Sequence, residues 1–375
     1  MKNDMKISKE LDFARRINRI SLHNKDIEKI KDLLQDELSW SEIFRIVIKN
    51  KNIGLLHLCL AQMGQLHMIP SRYRKLLQYY ILGNAQRNQE LLKEFEIISN
   101  VLAEEKICFA PVKGCYLIPN LYKEYGVRSI GDIDILIHRS DGKKISDIMK
   151  SLHYIQGRFD SKELKAIPYS REKLTLWNIQ MNNMPSFVKE SDSSYSQFYK
   201  YDFSFNLYPK LKTQPVDLML DRAEKGPVYH TLRSSDFFIH LCCHLHKEAT
   251  RTEWIYINGD INFIKFCDVR EYLLKMMSES DIQEAIEFAH NQGFEEAIFF
   301  TIYYLRELYE DGYEDDILNR LNVKSTDFLS EYKSIGNKES IKWIKSFWER
   351  LSSETNIDEL DNRKEKVSFE KYLDI

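Results

Sequence analysis

Apolar residues in the first hundred positions recur at the spacing of an amphipathic helix. The clearest stripes comprise Ile27, Ile30, Leu33 and Leu34, and then Leu91, Leu92, Phe95, Ile98, Val101 and Leu102. Ser39, followed three positions later by Glu42, has the form of a capping box that opens a further helix. The pattern therefore predicts an N-terminal helical region over residues 1–104.

Between residues 105 and 225 the pattern changes to short apolar runs and to alternation, which are typical of strands. Residues 107–112 are apolar and end at Lys113-Gly114, which predicts a buried strand followed by a turn. Two segments alternate between two faces. The first places Ile133, Ile135 and Ile137 on one face and Asp132, Asp134 and Leu136 on the other. The second places aromatic residues on one face and Asp202, Ser204 and Asn206 on the other. A further strand is predicted over residues 173–181.

Helical spacing returns after about Val216 and predicts a C-terminal helical domain over residues 226–352. Its helices are expected at about 234–245, 255–277, 281–292, 295–310 and 340–351. Residues 353–375 are charged and are expected to form a poorly packed tail. The fold class is therefore α+β, with a small mixed-sheet core flanked by N- and C-terminal helical regions.

Composition narrows the functional classes. Of the 375 residues, 43% are hydrophobic and 30% are charged, and the net charge of −3 argues against capture of bulk nucleic acid. We expect no membrane partner, since no apolar run is long enough to span a bilayer, and the start of the chain lacks the apolar core of a signal peptide. Six cysteines without a CxxC spacing indicate reduced thiols and a cytoplasmic location.

The strongest chemical signal is the pair Asp132 and Asp134. Residues i and i+2 of a strand project from one face, so the two carboxylates lie side by side. Two such charges are costly unless a cation lies between them, and Mg²⁺ or Mn²⁺ prefers oxygen ligands. Asp202, on the polar face of the next alternating strand, is the best candidate for a third carboxylate, with Asp217 and Asp221 as alternatives. Two ions in such a site can activate an attacking hydroxyl and neutralise a leaving pyrophosphate.

A lone DxD pattern leaves other interpretations open. It can be the solvated face of an edge strand. It also occurs in glycosyltransferases that use nucleotide sugars, although those place a βαβ half before the motif, where this chain is predicted to be helical. The third alternative is a catalytically degenerate protein that binds nucleotide without turning it over.

Four segments together carry a family resemblance. PVKGCYLIPNLY (111–122) and GVRSIGDIDILI (126–137) resemble the "LKG…LY…GxR…DhDhLV" signature of the uncharacterised nucleotidyltransferase family in the polymerase-β-like superfamily. YDFSFNLYP (201–209) resembles its "VDLHWxLxP" strand, and LRSSDFFIHLCCH (232–244) resembles its "LxPxDxLLHLxxH" helix start. The resemblance runs from about residue 90 to 310.

The resemblance implies a metal-dependent transfer of an NMP group from an NTP, with ATP as the expected nucleotide, to a hydroxyl or similar acceptor on a small molecule, peptide or protein. It implies that Asp132, Asp134 and Asp202 are the catalytic metal ligands, and that Lys113-Gly114 replaces the Gly-Ser turn that holds the triphosphate. Two departures affect the acceptor pocket. Ser204 stands where the family often has His, and Phe205 stands where it has Trp.

Cationic side chains near the acidic pair are the natural phosphate partners. Arg128 is suited to bidentate phosphate contact and Lys113 to a point-charge contact. Both alternatively serve only as surface charges.

The segment from His240 to His246 invites a zinc interpretation, because His240 and His244 share a helix face. Two ligands are too few for a tetrahedral site, so Cys242 and Cys243 are better explained as packing residues. His244 is retained as a candidate for the nucleotide or acceptor pocket, with Lys247 as an alternative.

Overall fold

Helices and short strands alternate along the chain. The computed structural model describes residues 7–208, 214–321, 323–333 and 340–361. The first part contains helices α1 (Lys9–Arg16), α2 (Asn24–Gln35), α3 (Trp40–Lys49), α4 (Ile53–Gln62) and α5 (Ser71–Glu104). It continues through β1 (Phe109–Val112), α6 (Gly114–Leu117), β2 (Ile133–Ile137), α7 (Gly142–Ser151), β3 (Ile155–Asp160), β4 (Lys165–Pro168), α8 (Arg171–Gln180), β5 (Phe187–Glu190) and β6 (Phe198–Ser204).

The second part is mainly helical. It contains α9 (Pro215–Asp221), β7 (Glu224–Lys225), β8 (His230–Thr231), α10 (Ser234–Ala249), α11 (Thr252–Tyr256), α12 (Phe263–Met276), α13 (Glu279–Gln292) and α14 (Glu295–Tyr309). It ends with α15 (Asp315–Leu321), β9 (Glu331–Tyr332), β10 (Ile341–Lys342), α16 (Phe347–Ser352) and α17 (Asp358–Asp361). Within the described part of the chain, no helix is both long and apolar enough to cross a bilayer.

The chain divides into two compact units. Unit 1 comprises the described residues within Met1–Ile81, Cys242–Lys275 and Ile286–Ile375, and unit 2 comprises Leu82–Leu241 and Met276–Ala285. The domain limits drawn from the sequence stay a prediction.

Unit 2 contains a six-stranded mixed sheet with strand order β1-β2-β6-β5-β3-β4. Strands β2 and β6 are parallel, and the other neighbouring pairs are antiparallel. The predicted α+β class with a mixed sheet is therefore confirmed. The antiparallel neighbours are close in sequence, whereas the parallel pair needs the long crossover through α7 to β5.

One face of this sheet packs into an apolar core. The isoleucines of β2, which the alternation placed on one face, are fully buried there. The core also includes Leu91, Phe95, Ile98 and Leu102 of α5 and Ile145 and Met149 of α7. Those α5 residues recur at three- and four-residue spacing, so one stripe of the helix covers the sheet.

The strand predicted over residues 173–181 is wrong, because this segment forms helix α8. Its apolar and β-branched residues suggested a strand, but Ser170 caps a helix. The Ser170 hydroxyl accepts a hydrogen bond from the Lys173 amide at 3.2 Å, which satisfies one of the free donors of the first turn. The Trp177 indole then donates to the Asn183 carbonyl at 3.2 Å and holds the helix end to the following loop. Local capping therefore outweighs strand propensity here.

Two helices expected in the C-terminal half are interrupted. The predicted helix over 255–277 is divided into α11 and α12 by a loop that contains Gly259. The predicted helix over 340–351 is wrong in its first half, where β10 pairs with β9, and only α16 is helical. The Ser346 and Glu349 side chains form a capping box that starts α16.

The tail expected after Ser353 is packed as far as it is described. Asn356 and Leu360 are buried, and the Asn356 side-chain amide donates to the Asp260 carboxylate at 3.1 and 3.2 Å. Residues 362–375 of the predicted tail lie outside the described residues, as does Pro209, the last residue of the segment 201–209 that resembles a family strand.

Candidate active site

Three carboxylates meet where β2 and β6 run side by side in unit 2. Asp132 immediately precedes β2, Asp134 lies within it, and Asp202 lies in β6 directly beside Asp134 in the parallel register. Each offers one carboxylate oxygen, and these oxygens lie within 4.8 Å of one another. In the described ranges, this is the one group of three or more His, Cys, Asp or Glu side chains gathered so closely. We call it the acidic triad.

Two lysines neutralise much of the triad's charge. The Lys113 ammonium, at the end of β1, lies 2.7 Å from Asp134 Oδ1. The Lys200 ammonium, in β6, lies 2.9 Å from Asp202 Oδ2 and 3.2 Å from Asp132 Oδ2. Lys113 is among the site residues predicted from the sequence, whereas Lys200 is not. The signal was present, because Lys200 precedes Asp202 by two positions and so shares its face of the strand.

Asp202 has a further partner that the sequence analysis missed. The Ser186 hydroxyl, just before β5, donates to Asp202 Oδ1 at 2.5 Å. Both oxygens of Asp202 are thus engaged, one by Ser186 and the other by Lys200.

The protonation equilibria of Asp132 and Asp134 are shifted in opposite directions. Burial raises the pKa of Asp134 to about 7; the Lys113 ammonium opposes this shift, and the charges of Asp132 and Asp202 add to it. Burial acts in the same direction on Asp132, but Lys200 and Lys113 outweigh it and hold the pKa of that carboxyl well below its usual range. Burial would lower the pKa of Lys200, yet Asp202 and Asp132 raise it well above its usual value. Burial, together with the neighbouring carboxylate charges, therefore makes Asp134 hold a proton more readily than Asp132.

The donor set fits a hard divalent cation. It consists of carboxylate oxygens alone, from two neighbouring strands, and it lacks the thiolate and imidazole donors that favour zinc. Asp202 contributes an oxygen to the group that lies within 4.8 Å. The two alternatives lie beside His138 instead, Asp217 at 2.8 Å from its Nδ1 and Asp221 at 3.8 Å from its Nε2. Asp202 is therefore the third carboxylate that the fold brings to Asp132 and Asp134.

The turn after β1 brings Gly114 against Arg128. A Cβ atom built on Gly114 would lie 2.6 Å from Arg128 Nη1 and 3.1 Å from Ile130 Cγ1, so only glycine allows this approach. Lys113 itself has a φ of 54°, a backbone region that side chains other than glycine rarely adopt. Gly114 therefore fits closely against Arg128 and directly follows Lys113, which contacts the triad. The assignment of these three residues to the nucleotide stays a prediction.

Helix α5 holds the loop that carries Arg128. Asn88, fully buried, donates to the carbonyls of Tyr125 at 2.7 Å and Arg128 at 2.6 Å, and accepts from the Ile130 amide at 3.1 Å. Asn84 donates to the Gly126 carbonyl at 2.8 Å. A buried polar residue on an amphipathic helix gives no sequence signal for these partners.

We expect Asn88→Ala to lower the free energy of unfolding by about 3 kcal/mol, because three backbone groups of the loop lose their partner in a buried setting. Urea denaturation measures this loss. The control is Asn100→Ala, an exposed asparagine on the same helix, for which the loss is expected to stay below about 1 kcal/mol. Because alanine favours a helix more than asparagine does, helix propensity alone would raise the stability of both variants, and equal changes for the two would contradict a role of the loop contacts.

The histidine and cysteine helix does not form a metal cluster. His240, Cys242, Cys243 and His244 belong to no close group of three ligands among the residues that the structure describes. His244 lies in unit 1, where its Nε2 is 3.1 Å from Glu248 Oε1, and Glu248 also binds Lys265. Cys242 and Cys243 are fully buried. The assignment of His244 to the nucleotide pocket stays a prediction.

Comparison with known proteins identifies the family of the chain. The sequence model of a family described as "uncharacterised nucleotidyltransferase" matches residues 36–310. The match includes the acidic triad, Lys113, Gly114, Arg128 and His244. No curated protein and no solved structure matches the chain.

Proposed function

Because the chain belongs to the uncharacterised nucleotidyltransferase family, we propose that it transfers an NMP group from an NTP to a hydroxyl or similar acceptor, with Mg²⁺ or Mn²⁺ as the cofactor. ATP is the expected nucleotide, and the acceptor is a small molecule, a peptide or a protein. We place the reaction in the cytoplasm, where the six free cysteines would remain reduced.

The observation that carries this proposal is the acidic triad itself. Three carboxylate oxygens within 4.8 Å, from two parallel strands, supply the donors that divalent cations need in phosphoryl chemistry. Asp132, Asp134 and Asp202 would hold the metal. A bound divalent ion supplies charge neutralisation for the triphosphate and lowers the pKa of an attacking hydroxyl.

The chain's own residues would bind and orient the nucleotide. Lys113, which precedes Gly114, and Arg128, which lies against it, would contact phosphate oxygens, Lys113 as a point charge and Arg128 through its planar fork. Displacement at the α-phosphate needs little covalent chemistry from the protein, so positioning and charge contribute most of the rate. The close fit of Gly114 to Arg128 would fix the guanidinium in one orientation.

The test is a screen for nucleotidyl adducts. The protein is incubated with Mg²⁺, each of the four NTPs, and either small-molecule or protein fractions of a cell extract. Mass spectrometry then searches for masses increased by one NMP, and a coupled assay follows pyrophosphate release. The proposal expects both signals in the wild type and neither in Asp134→Asn.

One outcome favours the non-catalytic alternative. If the wild type binds Mg²⁺-NTP and releases no pyrophosphate with any fraction, the chain is a nucleotide-binding protein without turnover. Release of a nucleoside diphosphate from an added nucleotide sugar, with transfer of the sugar to an acceptor, would instead favour a glycosyltransferase.

Gly114→Ala is expected to raise the KM for the NTP by about tenfold, because the added methyl group displaces the Arg128 guanidinium from its position. Steady-state kinetics at saturating acceptor measure the change. The control is Gly131→Ala, beside Asp132, where an added Cβ meets nothing within 4 Å and the KM is expected to stay within about twofold. A similar increase in both variants would contradict a specific role for the Gly114–Arg128 contact.

A further inference from the structure

Lys200 is bound to two of the three proposed metal ligands at once. Its ammonium lies 2.9 Å from Asp202 Oδ2 and 3.2 Å from Asp132 Oδ2, whereas Lys113 contacts Asp134. The backbone enforces this placement, because Lys200 and Asp202 are two positions apart on β6 and share a face. Lys200 thus lies within the triad rather than at its edge.

The oxygens that Lys200 occupies are the ones that a cation needs. Asp202 Oδ1 already accepts the Ser186 hydroxyl at 2.5 Å, so Oδ2 is the oxygen that Lys200 covers. Asp132 Oδ2 is covered by the same ammonium. A divalent ion that binds Asp132 and Asp202 at the short distances of metal coordination must displace the ammonium from at least one of them.

The Lys200 side chain is able to leave. It is 32% exposed, and a lysine reaches solvent or an incoming phosphate through a flexible stem of four carbons. Its charge also acts at a distance, because a cation held near an anionic cluster reduces the attraction of that cluster for a second cation.

We propose that Lys200 is a positioning residue that competes with the divalent cation for Asp132 and Asp202, so that the triad binds the cation weakly until the ammonium moves away. The ammonium keeps the two carboxylates together and lowers the affinity of the triad for a free divalent cation. This inference rests on the proposed function for the identity of the ion, Mg²⁺ or Mn²⁺.

The experiment measures binding of Mn²⁺ alone, without nucleotide, to the full chain by electron paramagnetic resonance of free Mn²⁺. Lys200→Met keeps the length of the side chain and removes its charge, and it is expected to bind Mn²⁺ at least about tenfold more tightly than the wild type. Lys200→Arg keeps the charge and is expected to stay within about threefold.

The matched control is Lys189→Met. Lys189 lies in the same sheet, on β5, and pairs with Glu94 at 2.5 Å rather than with the triad. Its removal changes the net charge by the same amount and is expected to change the Mn²⁺ affinity by less than about threefold.

Thermal melting separates competition from a merely structural role. In EDTA, Lys200→Met is expected to melt below the wild type, because the carboxylates lose their counter-charge. Added Mn²⁺ is expected to raise its melting temperature more than that of the wild type. A merely structural lysine would, when removed, lower stability and metal affinity together. Lys200→Gln serves as the second neutral variant if Lys200→Met does not fold.

Unchanged or weaker Mn²⁺ binding in a folded neutral variant overturns the proposal, as does an absence of Mn²⁺ binding in that variant at millimolar concentrations. Equal tightening in Lys189→Met also overturns it, because the effect would then be one of net charge. These outcomes do not depend on turnover. If Lys200→Met binds Mn²⁺ more tightly as expected, yet the wild type transfers no nucleotide, the proposed function is refuted and the role of Lys200 is supported.

Discussion

Asp134→Asn is expected to lower nucleotidyl transfer by about a thousandfold or more and to change the free energy of unfolding by less than about 1 kcal/mol. The loss of activity follows from the position of Asp134 at the centre of the triad, between Lys113 and Asp202. An amide is a poor ligand for a divalent cation compared with a carboxylate, so the site would lose both a ligand and a negative charge.

Stability is expected to be preserved because the triad is crowded with like charges. One oxygen from each of the three carboxylates lies within 4.8 Å of the other two, and two lysines do not fully neutralise the three charges. Asparagine has the same shape, relieves part of the repulsion, and still offers an oxygen to the Lys113 ammonium. Functional sites commonly sacrifice stability in this way.

Pyrophosphate release tests the expected loss of activity, and urea denaturation of the same preparations tests the expected stability. Asp217→Asn is the control, since Asp217 pairs with His138 at 2.8 Å, and its activity is expected to stay within about twofold. Full activity in Asp134→Asn would refute the proposed metal site. A loss of activity that accompanies unfolding would be explained by structure alone.

The centre of the site follows from one periodicity. Alternation in two strands placed Asp132 and Asp134 on one face and singled out Asp202, and the parallel register of β2 and β6 brings Asp202 beside Asp134. The same rule reaches Lys200, which lies one residue before the alternating segment that begins at Tyr201. An extension of the predicted strand by one residue includes it.

Other parts of the site depend on the tertiary fold. Ser186 reaches Asp202 only because β5 pairs with β6, and nothing in its neighbourhood predicts that register. Asn88 closes a loop some forty residues away along the chain, which no local pattern encodes. The error at α8 has the opposite origin, since the cap at Ser170 is visible in the sequence, whereas the strand prediction rests only on the strand-like residues that follow it.

The second large effect is expected in unit 1, where Asp260→Ala should lower the free energy of unfolding by about 4 kcal/mol. Asp260 is fully buried and accepts from Arg350 at 3.0 Å and from Asn356 at 3.1 Å. Arg350 is itself buried, donates to the Ala249 carbonyl at 2.8 Å, and lies over the Trp343 ring. Removal of Asp260 therefore leaves a buried guanidinium without its counter-charge.

A double-mutant cycle shows whether this reason is correct. Arg350→Met alone is also expected to lower the free energy of unfolding. Asp260→Ala combined with Arg350→Met should lose less than the sum of the two single variants, because neither charge is then left unpaired.

Asp358→Ala provides the control in the same C-terminal segment. That residue is 58% exposed and pairs with Lys345 at 2.5 Å, and a surface pair of this kind is expected to contribute less than about 1 kcal/mol. Strict additivity in the cycle would show that the two buried groups stabilise the fold independently. If Asp260→Ala lowers the free energy of unfolding by as little as Asp358→Ala does, the segment after Ser353 packs without depending on the ion pair of Asp260 and Arg350.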